Sequence, residues 1–106
     1  MIRWMKGEMG KATFNKGKSY QAAEQFDEAV CAFEDAERYL GQHYGEGHIW
    51  TRQAVAQRAW CLARLGRAAE AAPLYECALA DERRLRGDTE WSRTLEQQLA
   101  WARRRQ

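Results

Sequence analysis

The 106-residue sequence has few residues that break helices and no long apolar run. It contains one proline, and its eight glycines fall mostly at expected turns, which favours an all-helical fold and argues against disorder. No stretch approaches the roughly 18 apolar residues of a membrane span. The first residues, MIRWMK, lack the apolar core of a signal peptide, so we expect neither a signal peptide nor a membrane partner.

Charge and cysteine content exclude further classes of partner and cofactor. The net charge of +2 is too small to indicate nucleic acid or a membrane surface. The three cysteines stand at no metal-ligand spacing, so we expect no metal and no cofactor. Cys31, Cys61 and Cys77 each fall within a predicted helix, where we expect buried or partly buried free thiols, as suits a reducing cytoplasm.

Catalytic patterns are also sparse. His43 and His48 flank a glycine-rich loop and are predicted at its surface, with His48 a candidate cap for the helix that follows. Ser19 and Ser92 have no histidine or lysine that the sequence places as a base. Acidic residues alternate with arginines at helical spacing, as over residues 82–86, which predicts a solvated face. We therefore expect a protein that is not an enzyme.

The sequence does contain a pair of short helices folded back on each other at Gly66. Apolar residues before Gly66 follow a helical period, and after it Ala71, Tyr75 and Ala78 recur at steps of three and four residues, so they share one helix face. We predict that Ala71 and Ala78 are buried where the two helices cross. A hairpin of this kind leaves one apolar side uncovered, so it should stack on a copy of itself.

A copy of this hairpin lies 42 residues earlier in the chain. The size classes of the side chains agree at the paired positions, which are Gly17 with Ala59, Tyr20 with Leu62, Phe26 with Ala68, Ala29 with Ala71, Phe33 with Tyr75, Ala36 with Ala78 and Gly45 with Gly87. Near the C-terminus, residues 98–101 repeat the pattern of residues 57–60 at an offset of 41. The chain therefore reads as two repeats followed by half of a third, and the fold class is all-α.

The repeat resembles the tetratricopeptide (TPR) family in its pattern of small and aromatic residues, Ala29-x3-Phe33-x2-Ala36 and Ala71-x3-Tyr75-x2-Ala78. The usual TPR period is about 34 residues. The longer period here is similar to repeats of the kinesin light chain type, as are the turn Leu65-Gly66-Arg67 and the element Gly45-Glu46-Gly47-His48. The resemblance implies a right-handed solenoid of two repeats and a C-terminal capping helix, forming one domain over residues 1–106.

The expected order of elements follows from the repeat. Residues 1–9 form a lead-in, either a short helix with Ile2, Met5 and Met9 on one face or a disordered start, because Gly7 and Gly10 weaken a helix. Repeat one covers 10–47, repeat two covers 48–89 and the capping helix lies within 90–106. The predicted helices are about 11–23, 26–39 or a little beyond, 48 or 49 to 65, 68–86 with a bend or early-turn strain at Pro73, and 90–104 capped by Asp88 or Thr89.

The resemblance also implies a concave groove, lined by the first helix of each repeat, that binds a peptide. The candidate residues are Lys11, Phe14, Asn15, Lys18, Gln53, Ala56, Gln57, Trp60, Arg64, Thr94, Gln97, Gln98, Trp101 and Arg104. Asn15, Gln57 and Gln98 fall at one repeat position, where carboxamides would bond a peptide backbone or else form plain solvated surface. Trp60 and Trp101 share another position, either as ligand anchors or as core between repeats.

The partner class follows from the charges on this face. Four basic residues, Lys11, Lys18, Arg64 and Arg104, favour a peptide that carries acidic residues. Phe14 and Gln57 stand where TPR domains that clamp a terminal carboxylate have Lys and Asn, so such a clamp is not implied. The resemblance thus implies a non-catalytic protein–protein interaction module.

Two alternatives to peptide binding remain at this point. A stack of two and a half repeats is near the lower limit of stability, and an exposed end with Trp4, Met5 and Phe14 would favour self-association into a homodimer. The arginine-rich C-terminal third could serve a nucleic-acid partner, but it has little aromatic interleaving and is diluted by acidic residues.

Overall fold

The computed structural model describes residues 2–106, with side chains from Met5 onward, and contains five α-helices and no strand within that range. The helices are α1 (Ile2–Ala22), α2 (Phe26–Tyr44), α3 (Ile49–Arg64), α4 (Ala68–Arg86) and α5 (Glu90–Arg104). Each helix packs against its neighbours in the chain, and α3 also contacts α5. The prediction of an all-α fold is confirmed, and α4 and α5 have the predicted bounds. Helix α4 continues through Pro73.

Residues 2–9 are helical, as in the predicted short lead-in helix, but they continue without a break into the first helix, because α1 runs from Ile2 through Gly7 and Gly10. Glycine weakens a helix, but here α1 lies against α2 so closely that only glycine fits. A Cβ atom would come within 2.7–2.8 Å of the α2 side chain that each glycine faces, which is His43 for Gly7, Leu40 for Gly10 and Phe33 for Gly17. Close packing against α2 therefore offsets the low helix propensity. Helix α2 also extends beyond its predicted end, to Tyr44.

The N-terminal end of the stack is only partly as expected. Met5 and Met9 are 52% and 41% exposed. Phe14, predicted at the exposed end, is half-buried, with its ring centroid 5.5 Å from that of Phe33 and 6.3 Å from that of Trp50. The side chains of Ile2 and Trp4, named in the same predictions, lie outside the described residues.

The turns of the backbone repeat at the same 42-residue interval as the sequence. Gly45 and Gly87, which follow α2 and α4, have φ of 99° and 80°. Gly66, between α3 and α4, has φ of 81°, and Glu24, between α1 and α2, has φ of 60°. Glycine adopts positive φ readily, whereas Glu24 does so at an energetic cost. The backbone therefore imposes this conformation at the matched position even where the residue opposes it.

The core follows the predicted stripes. In α2 and α4 most of the buried positions are related by the 42-residue repeat, and Ala71 and Ala78, at 0% and 3% exposure, confirm the predicted burial. Of the three cysteines, only Cys61 is buried, and burial raises the pKa of its thiol to about 11. Cys31 and Cys77 are exposed, contrary to the prediction, because each lies off the buried stripe of its helix.

Two helix caps agree with the sequence. The Nδ1 atom of His48 accepts a hydrogen bond of 3.1 Å from the backbone N–H of Trp50 at the start of α3. Thr89 caps α5, and with Ser92 it forms a capping box in which each side chain accepts from the other's backbone N–H. His43 differs from the prediction, because it lies in the last turn of α2, half-buried, rather than on a loop surface.

A buried ion pair corrects the prediction of a solvated face over residues 82–86. Glu82 is fully buried, and its carboxylate accepts hydrogen bonds of 2.6 Å from Arg52 and 2.6 Å from the Thr89 hydroxyl. The Arg52 side chain, 6% exposed, also donates to the carbonyl of Gly47 and lies 5.6 Å from the centroid of the Trp91 ring. This cluster joins α3 and α4 to the loops before and after them, so it fixes how α5 approaches α3.

Candidate peptide-binding groove

An open groove of about 730 Å³ runs across α1, α3 and α5. These three helices, the first of each repeat unit, supply the whole of its described lining. From α1 come Phe14, Lys18, Gln21 and Ala22; from α3 come Gln53, Ala56, Gln57 and Trp60; and from α5 come Trp91, Thr94 and Gln98. The groove thus lies on the side of the molecule that the sequence indicated.

The structure brings most of the predicted residues together and leaves others apart. Phe14, Lys18, Gln53, Ala56, Gln57, Trp60, Thr94 and Gln98 line the groove. Lys11, Asn15, Arg64, Gln97, Trp101 and Arg104 do not belong to its lining. Asn15, which was expected to share a site with Gln57 and Gln98, is exposed on α1 and does not line the groove with them.

Three of the residues outside the lining have other contacts. The Lys11 amine lies 5.8 Å from the Tyr44 ring centroid and 5.7 Å from that of Trp50. Trp101, like Trp60, packs against the core, and it has the Arg105 guanidinium 4.1 Å from its ring centroid. Trp60 lines the groove, whereas Trp101 does not.

Arg64 does not line the groove, but it contacts a residue that does. Its guanidinium is 5.0 Å from the ring centroid of Trp60, which does line the groove, and 5.1 Å from that of Phe26. A carboxylate oxygen of Glu24 lies 3.7 Å away, and both charged groups are well exposed. Arg64 therefore stacks behind Trp60 and remains open to a second carboxylate from solvent.

Four glutamine carboxamides are the main polar feature of the lining. The Gln21 amide donates a hydrogen bond of 2.8 Å to the side-chain oxygen of Gln57, which links α1 to α3 across the groove. Its nitrogen also lies 3.7 Å from the Cys61 sulfur. Gln53 lies on α3, one turn before Gln57, and is exposed. Gln98 lies on α5 and is half-buried. Each amide keeps donor or acceptor capacity for a ligand, because an amide has two donors and an oxygen with two lone pairs.

Sequence reasoning missed Gln21, Ala22 and Trp91. A signal existed for two of them. Gln21 continues the spacing of Phe14 and Lys18, at four and then three residues, and so falls on their helix face. Trp91 precedes Thr94 and Gln98 at three and seven residues.

The aromatic side chains of the groove are held in place from behind. Trp60 packs edge-on against Phe26 at a centroid distance of 5.6 Å, and Phe14 packs in the same way on Phe33. Trp91 lies beside the buried Arg52 guanidinium. Rigid aromatic surfaces of this kind suit ligand anchoring, since little side-chain entropy is lost on binding. Lys18 carries the one ionised group along the described lining, so the groove is otherwise neutral.

Comparison of the chain with models of known protein families, with curated proteins and with solved structures finds no match. Within the described residues, no helix has the length and apolar character that crossing a membrane requires, and no group of His, Cys, Asp and Glu could hold a metal ion.

Proposed function

We propose that this chain is a non-catalytic protein–protein interaction module that binds a peptide segment of a partner protein in the groove across α1, α3 and α5. The observation that carries the proposal is the lining itself, which combines rigid aromatic rings with four glutamine amides along three successive helices. Such a surface can bond a peptide backbone and take up an apolar side chain. The peptide lies across the helices and contacts all three.

The proposal includes a TPR-like solenoid of two repeats and a capping helix. Its support is the 42-residue interval, which relates Glu24 to Gly66 and Gly45 to Gly87 in backbone conformation. The polar face of α5 supports the capping role. At an offset of 41, the exposed Arg93, Gln97, Ala100 and Arg104 correspond to the buried Arg52, Ala56, Ala59 and Ala63 of α3. The helix face that is buried in α3 is therefore exposed to solvent in α5, as expected for a capping helix.

The bound peptide carries an apolar anchor next to acidic residues. Its anchor packs on Trp60 and Trp91, its backbone bonds to the glutamines, and its carboxylates meet Lys18 and Arg64. Both basic groups are exposed, so their attraction weakens as salt increases. This chemistry supports an acidic ligand without requiring a terminal carboxylate.

Both histidines and the buried cysteine have structural roles here. His48 caps α3, and His43 packs against the glycine face of α1. The Cys61 thiol, with its pKa raised to about 11, is protonated at neutral pH and therefore a poor nucleophile. These roles favour a binding module that acts without chemistry of its own, and the three free thiols suit the cytoplasmic location that we propose for it.

Nucleic-acid binding has less support. Arg83 and Arg103 of the C-terminal third form ion pairs of 2.7 Å with Glu96 and 2.5 Å with Glu76. Phosphate binding needs basic groups that are free to neutralise charge, so pairing with carboxylates weakens the case.

The test is selection from an array of acidic peptides with apolar anchors, followed by titration of the best peptide. Trp60→Ala should weaken binding by about 2 kcal/mol or more, as expected for an aromatic anchor. Gln57→Ala should also weaken binding, whereas Arg64→Ala should have a smaller effect that shrinks as salt increases. Leu85→Ala, a change at an exposed apolar residue of α4 outside the groove, is the control. Wild-type affinity in folded Trp60→Ala and Gln57→Ala would contradict the proposal.

A further inference from the structure

Helix α1 has a partly apolar stripe that α2 leaves largely uncovered, although Lys16 and Tyr20 at its C-terminal end also border α2. The stripe, called the α1 stripe below, consists of Met5, Met9, Ala12, Lys16 and Tyr20, whose spacings of four, three, four and four residues place them on one face. Met5 and Met9 are 52% and 41% exposed. Ala12 and Lys16 are exposed and Tyr20 is half-buried. Two of the four exposed large hydrophobic residues of the described chain thus lie on this stripe.

The corresponding stripe of α3 is covered by a helix. The residues that lie 42 positions after those of the α1 stripe are Gly47, Thr51, Ala54, Arg58 and Leu62. Ala54 is fully buried against Ala36 and Leu40 of α2, and Arg58 forms an ion pair with Glu37 of α2. Within this protein, then, the same face of a matched helix receives a helix that supplies apolar contacts and one carboxylate.

We propose that the α1 stripe is the interface of a homodimer in which α1 packs antiparallel on α1 of a second copy. In this register the two Ala12 residues meet at the crossing, where a small side chain lets the helices approach closely. Met5 then lies opposite Tyr20 of the second copy, and a flexible thioether packs well on an aromatic ring. Because the dimer has two-fold symmetry, every contact between the copies occurs twice.

The charges of the stripe are self-complementary in the same register. Glu8 borders the stripe on α1 and reaches Lys16 of the second copy. Glu8 thus gives Lys16 the carboxylate that Glu37 gives to Arg58 within one chain. Among the side chains described from Met5 on, neither Glu8 nor Lys16 has an ion-pair partner within one chain. The second copy therefore satisfies both groups without a foreign partner, which is why we commit to it as the occupant.

The first experiment measures mass by sedimentation over a concentration series. The wild-type mass should increase from 12.3 kDa to twice that value and then stop increasing. Ala12→Glu places two carboxylates opposite each other at the crossing and should keep the chain monomeric, with unchanged helical content because Ala12 is exposed. Leu85→Gln, at another exposed apolar residue outside the stripe, should leave dimerisation unchanged.

The second experiment reverses the charges. Glu8→Lys and Lys16→Glu should each raise the dimer Kd by about tenfold, because the symmetry counts each weak pair twice. The double variant Glu8→Lys/Lys16→Glu should return the Kd to near the wild-type value. The proposal is overturned by a monomer that persists to about 1 mM, by a mass that grows past two copies, by a dimer that survives Ala12→Glu, or by a double variant that fails to restore dimerisation. None of these changes alters the groove, so peptide binding is tested separately.

Discussion

At the scale of single residues, the buried pair of Arg52 and Glu82 is the most informative site for stability. Arg52→Met leaves the Glu82 carboxylate buried without its main partner, which should lower the free energy of unfolding by about 3–5 kcal/mol. Arg83→Met breaks a pair with Glu96 in which both groups are about half exposed, and should cost about 1 kcal/mol or less. Urea unfolding of the two variants checks this. Equal losses would contradict the burial of the first pair.

The same carboxylate should make stability depend on pH. Burial alone would raise the pKa of Glu82, but hydrogen bonds from Thr89 and Arg52 and the charge of Arg86 outweigh it and hold the pKa below its ordinary value of 4.5. A lowered folded-state pKa gives stability that is present above pH 4.5 and is lost as the pH falls through the folded-state value. The stability difference between wild type and Glu82→Gln, measured by urea unfolding, should therefore shrink as the pH falls below 4.5. A difference that grows in acid would contradict the assigned direction.

The buried alanines of α4 give a further prediction about single residues. Ala71 is fully buried, so Ala71→Leu overpacks the crossing of α3 and α4 and should cost about 1–3 kcal/mol, lowering Tm by several degrees. Ala69→Leu, at an exposed position two residues earlier on α4, is the control and should change Tm little. The measurement is thermal unfolding followed by circular dichroism. The same Tm for Ala71→Leu as for wild type would contradict the packing.

What the sequence could predict at this scale depended on whether residue type and position agreed. Ala71, Tyr75 and Ala78 are apolar and lie on one stripe, so their burial followed from periodicity. Glu82 lies on the same stripe, four residues after Ala78, but its charge and its arginine neighbours are typical of a solvated face. Only the position of Arg52, supplied by another helix, explains why a carboxylate is buried there.

At the scale of elements, the contact between α1 and α2 depends on glycine. Gly10→Ala adds a Cβ atom 2.7 Å from the Leu40 side chain and 3.2 Å from the Leu40 backbone nitrogen. We expect this overpacking to outweigh the gain in helix propensity, so the stability should fall. Gly41→Ala, within α2, adds a Cβ atom no closer than 3.8 Å to its neighbours and should raise stability by about 0.5–1 kcal/mol. Urea unfolding of both variants tests the opposite signs. A gain in stability for Gly10→Ala would contradict the close approach of α1 to α2.

The bounds of a helix were predictable where its apolar stripe and its terminal residues agreed, as in α4. The start of α1 was not predictable. Helix α4 has an apolar stripe bounded by Gly66 and Gly87, which set both of its ends in the sequence. In α1, Gly7 and Gly10 indicated a weak helix, because propensity describes an isolated segment. Their spacing of three residues, with Gly17 seven further on, was the signal for a face packed closely on another helix.

At the scale of the whole molecule, the position of the groove followed from the repeat, whereas its lining did not follow completely. The repeat placed the first helices of successive units side by side, which brought Phe14, Gln57 and Gln98 to one surface. Matching positions along helices ignores how far each helix is rotated and offset against the next. For that reason Asn15 and Trp101 lie outside the groove while Gln21 and Trp91 line it.

Nuclear magnetic resonance can show directly whether a peptide binds across α1, α3 and α5. The chain is titrated with the selected acidic peptide while side-chain amide and indole N–H signals are followed. We predict shifts at Gln21, Gln53, Gln57, Gln98, Trp60 and Trp91, with Gln42 and Gln97 unchanged because they lie outside the groove. Shifts confined to α2 and α4, with the groove glutamines unchanged, would contradict it.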